Sequence, residues 1–523
     1  MKELTLEYRK IKAIALAVLI LPTVFFFLGW IRPLISIPLT VLLLAALVFA
    51  VIKDDGKRKV KIGINEILLI VLAVAAWCIL TGIGGFTASK IDMYWRNPVY
   101  ADLIFKDWPV RYEGTLSGYG LSYYIGYWLV PGGFAKIFVF LGEEAAWNIG
   151  RVALVLWTTV LLTLCALLLK SYTGAKGIKS TAVMLALFIF FSDMDLISMC
   201  IQTALNNLPE VFFDEFRQFE CTTCCWQFSS MSTQLGWVVN QSVPAWLATL
   251  LFINEKSAKC YALIGLAILI TSPMPLVGLA VFMFAFAARD IYTGVKEGRI
   301  KEVIFSIVTP ANILASISIF PPVAMFITSN KGSQLTTLGL SYAAVHWKSY
   351  LAFLLGCHII TVLLIIKKKR LFECILLIGS FLIIPLIFMG QSAFDITNYP
   401  LDRASNSDFC MRVSIPAIVI LLAMVGKYIF NEFKMREGIR SRLLILVLAL
   451  SLMSPVVEIA SSISGTIDHS KAFFYPYSKS MMSLEEMEPY DLFVVDLDGS
   501  LRMEESNFVC IAEDSSFYKY LAR

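Results

Sequence analysis

Charged residues are scarce in this sequence. Asp, Glu, Lys and Arg make up 16% of its 523 residues, and hydrophobic residues make up 58%, whereas an ordinary soluble domain has about 25% charged residues. With a mean hydropathy of +0.74, this composition excludes a soluble globular chain and predicts an all-α polytopic membrane protein. The formal net charge of +5 requires no nucleic-acid partner.

Histidines and cofactor motifs are also lacking. The three histidines, His346, His358 and His469, have no metal-ligand spacing, and no Walker, Rossmann or zincin motif occurs. The stretch "FVVDLDGSL" (493–501) is similar to the first motif of haloacid-dehalogenase-type phosphatases, but only 22 residues follow it. That length is too short for the parallel sheet that such a site requires, so the match is a coincidence.

Most of the eleven cysteines are scattered among hydrophobic stretches, where cysteine serves as a small apolar residue. Cys221, Cys224 and Cys225 are different, because they cluster in the polar stretch "ECTTCCWQF". They can form a disulfide or contribute to a metal site. A zinc site requires four ligands and no histidine is nearby, so the metal interpretation is the weaker one.

Apolar stretches long enough to cross a membrane recur along almost the whole chain, each close to the ~20 residues that a spanning helix requires. The first of them has no small-residue cleavage site after it, so we expect it to be retained as a span. The pattern predicts thirteen spans, near residues 13–31, 34–52, 64–83, 149–170, 179–194, 238–254, 259–272, 274–288, 303–328, 349–366, 371–389, 412–430 and 442–460.

Basic residues orient these spans, because Lys and Arg concentrate in cytoplasmic loops. With a cytoplasmic N-terminus, 27 of the 44 Lys and Arg residues fall in the N-terminal segment and six cytoplasmic loops. This assignment requires that residues 119–138 do not cross, and Pro131 with two following glycines would break a helix there. We therefore expect 119–138 to lie along the outer leaflet.

The orientation gathers the unusual polar stretches on the outer face, at 85–118, 193–236, 329–348 and 390–411. The sequence divides into a two-span extension (1–63), a membrane domain (64–460) and a small outer C-terminal appendage (461–523). Short helices are expected to lie beside the membrane on the outer face. Carboxylates, arginines and aromatic rings above a helix bundle are typical of an external cleft.

Asp92 is the first candidate site residue, in "SKIDMYWRNP" after the third span. A carboxylate there can take a proton from an acceptor hydroxyl, although a solvated loop aspartate is the commoner case. The rings of Tyr94 and Trp95 can stack on a sugar or lie in the membrane interface. Asp102, farther along, is expected to be solvated or to cap a helix.

A second set of candidates surrounds the start of the sixth span. Asp193 and Asp195, directly after the fifth span, can share a cation or hydrate a helix end. Beyond Glu220, polar side chains interleave with tryptophan and can bind a polyhydroxylated ligand, or form an ordinary aromatic belt. The candidates for sugar or acceptor binding in this region are Glu220, Gln234, Trp237 and Gln241.

Three basic residues are candidates for a phosphate group. Arg412, at the edge of the twelfth span, can hold phosphate oxygens through its planar fork, or pair with Asp408 one helical turn away. Lys136 and Arg96 can bind the same anion or extend to the membrane interface.

Together these stretches resemble the GT-C superfamily, integral membrane glycosyltransferases that use lipid-phosphate sugars. The stretches "GGFTASKIDMYWRNPVYADLIFKDWPVRY", "FFSDMDLIS", "STQLGWVVNQSVPAWLATLLF" and "DFCMRVSIPAIVIL" are similar to those of bacterial GT-C-like membrane proteins, and the similarity covers about residues 64–430. The resemblance implies that Asp92 matches the catalytic acid of the first outer loop and Asp195 that of the second. It implies that Arg412 faces the lipid phosphate.

The expected function is transfer of a sugar from a polyprenyl phosphate to an extracytoplasmic glycan, lipid or protein, with inversion at the anomeric carbon. The expected partners are this donor, a cell-envelope acceptor and membrane lipids. A divalent cation remains open as a cofactor. The expected location is the bacterial cytoplasmic membrane, with the C-terminus and the site outside. The alternatives are a lipid-carrier flippase or transporter and an inactive GT-C-like partner protein.

Overall fold

The computed structural model describes residues 3–52, 58–206, 220, 226–330, 337–340, 347–390, 407–433, 438–468, 474–475, 481–495 and 501–523. Helices dominate these ranges. They are α1 Tyr8–Trp30, α2 Pro33–Ile52, α3 Ile64–Leu80, α4 Met93–Phe105, α5 Gly126–Lys136, α6 Glu143–Thr173, α7 Gly177–Phe190, α8 Asp195–Asn206, α9 Met231–Asn254, α10 Tyr261–Ala267, α11 Pro273–Lys296, α12 Ile300–Ile307, α13 Pro310–Ile327, α14 Trp347–Gly356, α15 Ile359–Ile365, α16 Leu371–Ile383, α17 Ser407–Asn431, α18 Ile439–Leu450, α19 Met453–Ile467 and α20 Pro489–Leu492.

The strands are short and form antiparallel pairs, β1 with β2, β3 with β7, β4 with β10, β5 with β6 and β8 with β9. Their bounds are β1 Glu3–Glu7, β2 Lys59–Gly63, β3 Ser89–Lys90, β4 Tyr119–Leu121, β5 Thr337–Leu340, β6 Ile387–Gly390, β7 Phe474–Tyr475, β8 Phe493–Val495, β9 Leu501–Ser506 and β10 Val509–Ile511. The predicted fold class, a helical polytopic membrane protein, is therefore confirmed at the level of its helices.

The predicted number of thirteen spans is not confirmed. Within the described residues, 9 helices are long and apolar enough to cross a membrane, and the bent pair α14 and α15 brings the number to 10. The other predicted spans form shorter helices. α3 has 17 residues, α10 ends before the Pro273 segment, and α16 ends before Pro385. These three helices are shorter than the 9 that are long enough to span by length and composition.

Residues 119–138 do not form a spanning helix. The helix α5 has 11 residues and is therefore about 16 Å long, half the thickness of a bilayer core. It lies against neighbouring helices, since an added Cβ at Gly132 would contact Tyr100 of α4 and one at Gly133 would contact Phe25 of α1. The expectation that this segment does not cross agrees with its length.

The helices α9 and α17 form the centre of the bundle, with 89% and 94% of the residues in their apolar stretches buried. Around α9, the rings of Trp77 and Trp246 stack with centroids 5.8 Å apart, and Phe188 meets both edge-on. α2 and α11 are peripheral, with 28% buried. Polar side chains on α9 are consequently shielded from lipid.

The predicted cytoplasmic segments meet at one end of the bundle, here called the basic end. Lys12 pairs with Glu255 at 2.6 Å, and Arg58 donates to Asn254 and to the Ser171 carbonyl. Further bonds bring the remaining basic segments to this end, namely Asn431 to the Thr173 carbonyl, Lys367, Lys369 and Arg370 to Glu432, and Arg289 to Glu373. Their co-location agrees with the grouping of basic loops in the sequence.

The C-terminal residues 481–495 and 501–523 lie at the opposite end, here called the tail end. α1 connects the two ends, because Tyr8 bonds Glu255 and the Trp30 carbonyl accepts from the Arg523 amide. The tail does not hang free as an appendage. β10 pairs with β4, and the Tyr518 hydroxyl donates to the carbonyls of Val110 and Leu121.

Candidate functional site

Asp92 and Arg96 form an ion pair at the start of α4. Their spacing of four residues brings them onto one helix face, and Arg96 Nη2 lies 2.8 Å from Asp92 Oδ2. Arg96 also donates to the Trp237 carbonyl. The Asp92 side chain is 31% exposed whereas that of Arg96 is 5% exposed. The arginine therefore anchors a carboxylate that remains accessible.

A buried ion pair lies next to this one. Lys90 Nζ is 2.7 Å from Glu458 Oε1, and the indole N–H of Trp237 donates to the same oxygen at 2.8 Å. Lys90 also donates to Ser461 at 2.8 Å. Lys90 and Glu458 are not among the residues that the sequence predicts for the site. Glu458 could have been found, because a carboxylate inside a predicted span is a functional-site signal.

Asp195 and Glu220 lie in a second buried group. Asp195 Oδ2 accepts hydrogen bonds from the hydroxyls of Ser454 and Ser192. Glu220 Oε1 accepts from the Ser230 amide at 2.9 Å and from the Thr233 hydroxyl at 2.7 Å. Burial, and next the negative charge of Asp195, raise the pKa of Glu220 to about 8. Glu220 is consequently held mainly protonated at neutral pH.

The two groups are joined by α19. Ser454, which bonds Asp195, and Glu458, which bonds Trp237, are four residues apart on this helix, a spacing of about one turn. Asp92 and Asp195 therefore share the tail end of the bundle. Asp193, beside Asp195, has its buried Oδ1 without a hydrogen-bond partner among the described residues.

Tyr94 and Trp95 contact the C-terminal tail. The Tyr94 hydroxyl donates to Asp491 Oδ2 at 2.8 Å, and the Trp95 indole donates to the Asp491 carbonyl at 3.2 Å. The two rings meet edge-to-face at 5.2 Å. In this arrangement the polar atoms of Tyr94 and Trp95 bind the tail. Contact between a sugar and the faces of the two rings stays a prediction.

Asp102 is not solvated, which corrects the expectation for this residue. It lies buried on the inner face of α4, where it accepts from the Tyr112 hydroxyl at 2.9 Å and from the Leu484 amide at 3.2 Å. Burial raises the pKa of Asp102 to about 6. The helix α4 begins at Met93 and is mostly buried, so Asp102 joins the tail to α4.

The amides of α9 differ in how well they are satisfied. Gln234 is fully engaged, since it donates to the Ser229 carbonyl at 2.7 Å and accepts from the Trp246 indole at 2.8 Å. Gln241 and its neighbour Asn240 are fully buried, and their four side-chain polar atoms lack partners within the described residues. Without a bound water, each buried polar atom that lacks a hydrogen bond lowers the stability of the fold by about 1–3 kcal/mol. Asn240 was not among the predicted residues.

The predicted phosphate-binding residues do not all gather at Asp92. Lys136 donates to the Lys106 carbonyl at 2.5 Å, beyond the C-terminal end of α4, about 20 Å along that helix from Asp92. Burial lowers the pKa of Lys136. Arg412 lies half-buried in the first turns of α17, and its role towards phosphate stays a prediction. The Asp408 side chain lies outside the described residues.

The cysteine cluster Cys221, Cys224 and Cys225 lies outside the described residues, as do parts of the outer loops 329–348 and 390–411. Within the described residues, no three His, Cys, Asp or Glu side chains are arranged to hold a metal ion. Comparisons of the chain with protein-family models, with curated proteins and with solved structures found no match.

Proposed function

We propose that this chain is a membrane glycosyltransferase that moves a sugar from a polyprenyl phosphate to a hydroxyl of a glycan, lipid or protein. The observation that carries the proposal is the Asp92–Arg96 pair. Asp92 keeps 31% of its side chain exposed while its partner is buried. A fixed, accessible carboxylate is the group that such a transfer requires as general base.

Arg96 leaves one oxygen of Asp92 available. It binds Oδ2, and Oδ1 has no hydrogen-bond partner in the described part of the chain. In the proposed reaction Oδ1 takes the proton of the acceptor hydroxyl as its oxygen bonds to the anomeric carbon. The bond from that carbon to the phosphate oxygen breaks, and its electron pair leaves with the lipid phosphate. Displacement from the opposite face inverts the anomeric configuration.

The buried acids support the site without touching the substrates. Asp195 is bonded to Ser454 and Ser192, so we assign it the role of positioning α19 beside Asp92. Glu458 neutralises Lys90 and holds the Trp237 ring. We propose Arg412 as the group that receives the leaving phosphate, because a guanidinium stabilises charge where it develops.

The proposal includes a location. The basic end faces the cytoplasm, as basic loops generally do, and the N-terminus lies there with it. The tail end, Asp92 and the C-terminus then face outward from a bacterial cytoplasmic membrane. A donor anchored in the outer leaflet reaches Asp92 without leaving the bilayer, so no nucleotide-binding domain is required.

The test is transfer of a radiolabelled sugar from polyprenyl-phosphate donors to glycan acceptors in proteoliposomes. Asp92→Asn preserves the size of the side chain but removes the base, and we expect transfer to fall about 10²–10⁴-fold. Asp107→Asn is the matched control, because Asp107 is an exposed acid of the same outer loop. It should retain full transfer.

Unchanged transfer by Asp92→Asn would remove Asp92 from the mechanism. Size-exclusion chromatography of the detergent-solubilised variant checks that the protein remains folded when Arg96 has lost its partner. If the wild-type chain transferred no sugar from any donor offered, the proposal that it is an enzyme would be contradicted.

One observation favours a transporter as the second candidate. Asp193 and Asp195 are buried within the 177–201 span segment, and buried acids in a span are typical of proton-coupled carriers. A transporter would move a lipid-linked sugar across the proteoliposome membrane without forming a new glycosidic bond. Asp195→Asn would abolish that movement, whereas a chain with neither transfer nor movement would be an inactive partner protein.

A further inference from the structure

A cleft of about 150 Å³ opens at the basic end, far from Asp92. It lies where the start of α1 and the ends of α2 and α9 meet the start of α13. Among the residues that the structure describes, its charged lining consists of Lys12, Arg58, Glu255, Lys256 and Lys259, so four cations face one carboxylate there.

The carboxylate is already neutralised from within the protein. Glu255 Oε2 lies 2.6 Å from Lys12 Nζ, and its Oε1 accepts from the Tyr8 hydroxyl at 3.0 Å. Arg58 is fixed beside it by bonds to Asn254 and by the Tyr8 ring, 4.7 Å from its guanidinium carbon. The described side chains of the inner cleft therefore carry a net positive charge.

Two further lysines remain available at the mouth. Lys256 and Lys259 are exposed, and neither ammonium group has a partner among the residues that the structure describes. The start of α13 adds to the positive potential, because Thr309, Pro310 and Ala311 line the cleft and a helix N-terminus carries a partial positive charge. Thr309 holds the Lys259 carbonyl at 2.7 Å.

One wall of the cleft is apolar. Phe49 and Ala50, near the end of α2, line it, and α2 is among the least buried spanning helices. An anionic ligand with a hydrocarbon tail can therefore place its headgroup among the cations and its tail along α2. Basic pockets between membrane helices on the cytoplasmic side commonly take lipid headgroups.

We propose that this cleft binds a phosphate group, held by Arg58, Lys256 and Lys259. The apolar wall favours a phosphate carried on an anionic phospholipid over a free one. The site is separate from the one assigned to sugar transfer, about 26 Å away along α9 from Trp237 to Asn254, and does not rest on that assignment.

The test uses the full chain, purified in a neutral detergent. Native mass spectrometry measures binding of phosphatidylglycerol, of phosphatidylcholine and of phosphatidylglycerol with inorganic phosphate as competitor. Lys256→Gln/Lys259→Gln removes two charges at the mouth, and we expect at least tenfold weaker phosphatidylglycerol binding. Lys176→Gln/Lys179→Gln is the control, since these two lysines are exposed at the same end outside the cleft.

Selective phosphatidylglycerol binding that inorganic phosphate does not displace supports a lipid ligand. Displacement by inorganic phosphate supports a free phosphate as occupant of the same cleft. Equal loss of binding in both double variants, or no preference of the wild-type chain for phosphatidylglycerol or inorganic phosphate over phosphatidylcholine, would overturn the proposal. All four lysines are exposed, so the variants should fold normally.

Discussion

Buried charges at the tail end are compensated by specific partners. The side chains of Lys90 and Glu458 are 3% and 6% exposed and form an ion pair that also involves the Trp237 indole. Removing one member of a buried pair leaves an uncompensated charge in a medium of low dielectric constant. Such a change typically costs about 3–5 kcal/mol, whereas removing both members costs far less.

We therefore predict that Lys90→Met and Glu458→Gln each lower the unfolding temperature strongly, and that the double variant recovers much of the loss. A double-mutant cycle of unfolding in detergent measures this coupling. Glu297→Gln is the control, because Glu297 pairs with Arg299 on the surface and should change stability by less than ~1 kcal/mol. Single variants as mild as this control would contradict the pairing.

Glu220 predicts a dependence of stability on pH. Burial and the charge of Asp195 raise its pKa from 4.5 to about 8, so the folded chain binds a proton that the unfolded chain releases between these values. The resulting stability is fully present below pH 4.5 and is lost as pH rises towards 8. Glu220→Gln cannot titrate and should lack this loss.

The measurement is the unfolding temperature of wild type and Glu220→Gln in detergent from pH 5 to 9. The wild-type chain should lose stability relative to the variant up to about pH 8, with a constant difference above it. Glu144→Gln, at an exposed acid, should follow the wild type. Parallel curves for wild type and Glu220→Gln would show that Glu220 is ionised at neutral pH in the folded chain.

Sequence reasoning finds partners that are close along the chain. Asp92 and Arg96 are four residues apart in a helix, so their pairing follows from helical geometry. Lys90 and Glu458 are separated by 368 residues, and no local pattern joins them. The same limit explains Asp102, whose burial depends on Leu484 of the distant tail.

At the scale of helices, the close approach of α11 and α17 depends on a glycine. A Cβ at Gly278 would lie 2.0 Å from the Val413 carbonyl oxygen, which is backbone and cannot rotate away. Gly379, inside α16, has nothing within 4 Å of the same position. Alanine substitutions at these two glycines therefore distinguish the effect of packing between helices from the effect of helix propensity.

Gly278→Ala should destabilise the protein by about 1–3 kcal/mol, because α11 and α17 must move apart. Gly379→Ala should be neutral or stabilising by up to about 1 kcal/mol, because alanine favours a helix interior. Unfolding temperatures of both variants in the same detergent measure the difference. A Gly278→Ala chain as stable as Gly379→Ala would mean that the helices are farther apart than described.

Helix existence was more predictable than helix extent. Apolar runs located each predicted span, because a helix is required to satisfy backbone groups in lipid. The breaks were less predictable. The bend of 41° between α14 and α15 contains no proline, and the irregular backbone at Val238 in α9 lies six residues before Pro244.

At the scale of the whole molecule, the distribution of Lys and Arg predicted which loops lie together. The basic segments meet at one end through bonds such as Arg58 to Asn254 and Arg370 to Glu432. The positions of the loops followed from charge, but the packing of the tail did not. Residues 481–495 and 501–523 bury Leu484 and Phe517 against the bundle, a contact between the C-terminal residues and the first third of the chain.

The central claim is that Asp92 lies at an outward-facing end, opposite a cytoplasmic basic end. Cysteine accessibility in intact bacterial cells tests it directly, with a membrane-impermeant maleimide. Cys200, an exposed native cysteine, and the clustered Cys221, Cys224 and Cys225 are changed to serine. Glu513→Cys reports the tail end and Lys176→Cys the basic end, both at exposed positions. We predict that Glu513→Cys is labelled in intact cells and Lys176→Cys only after permeabilisation, whereas labelling in the reverse order, or of both in intact cells, would contradict the account.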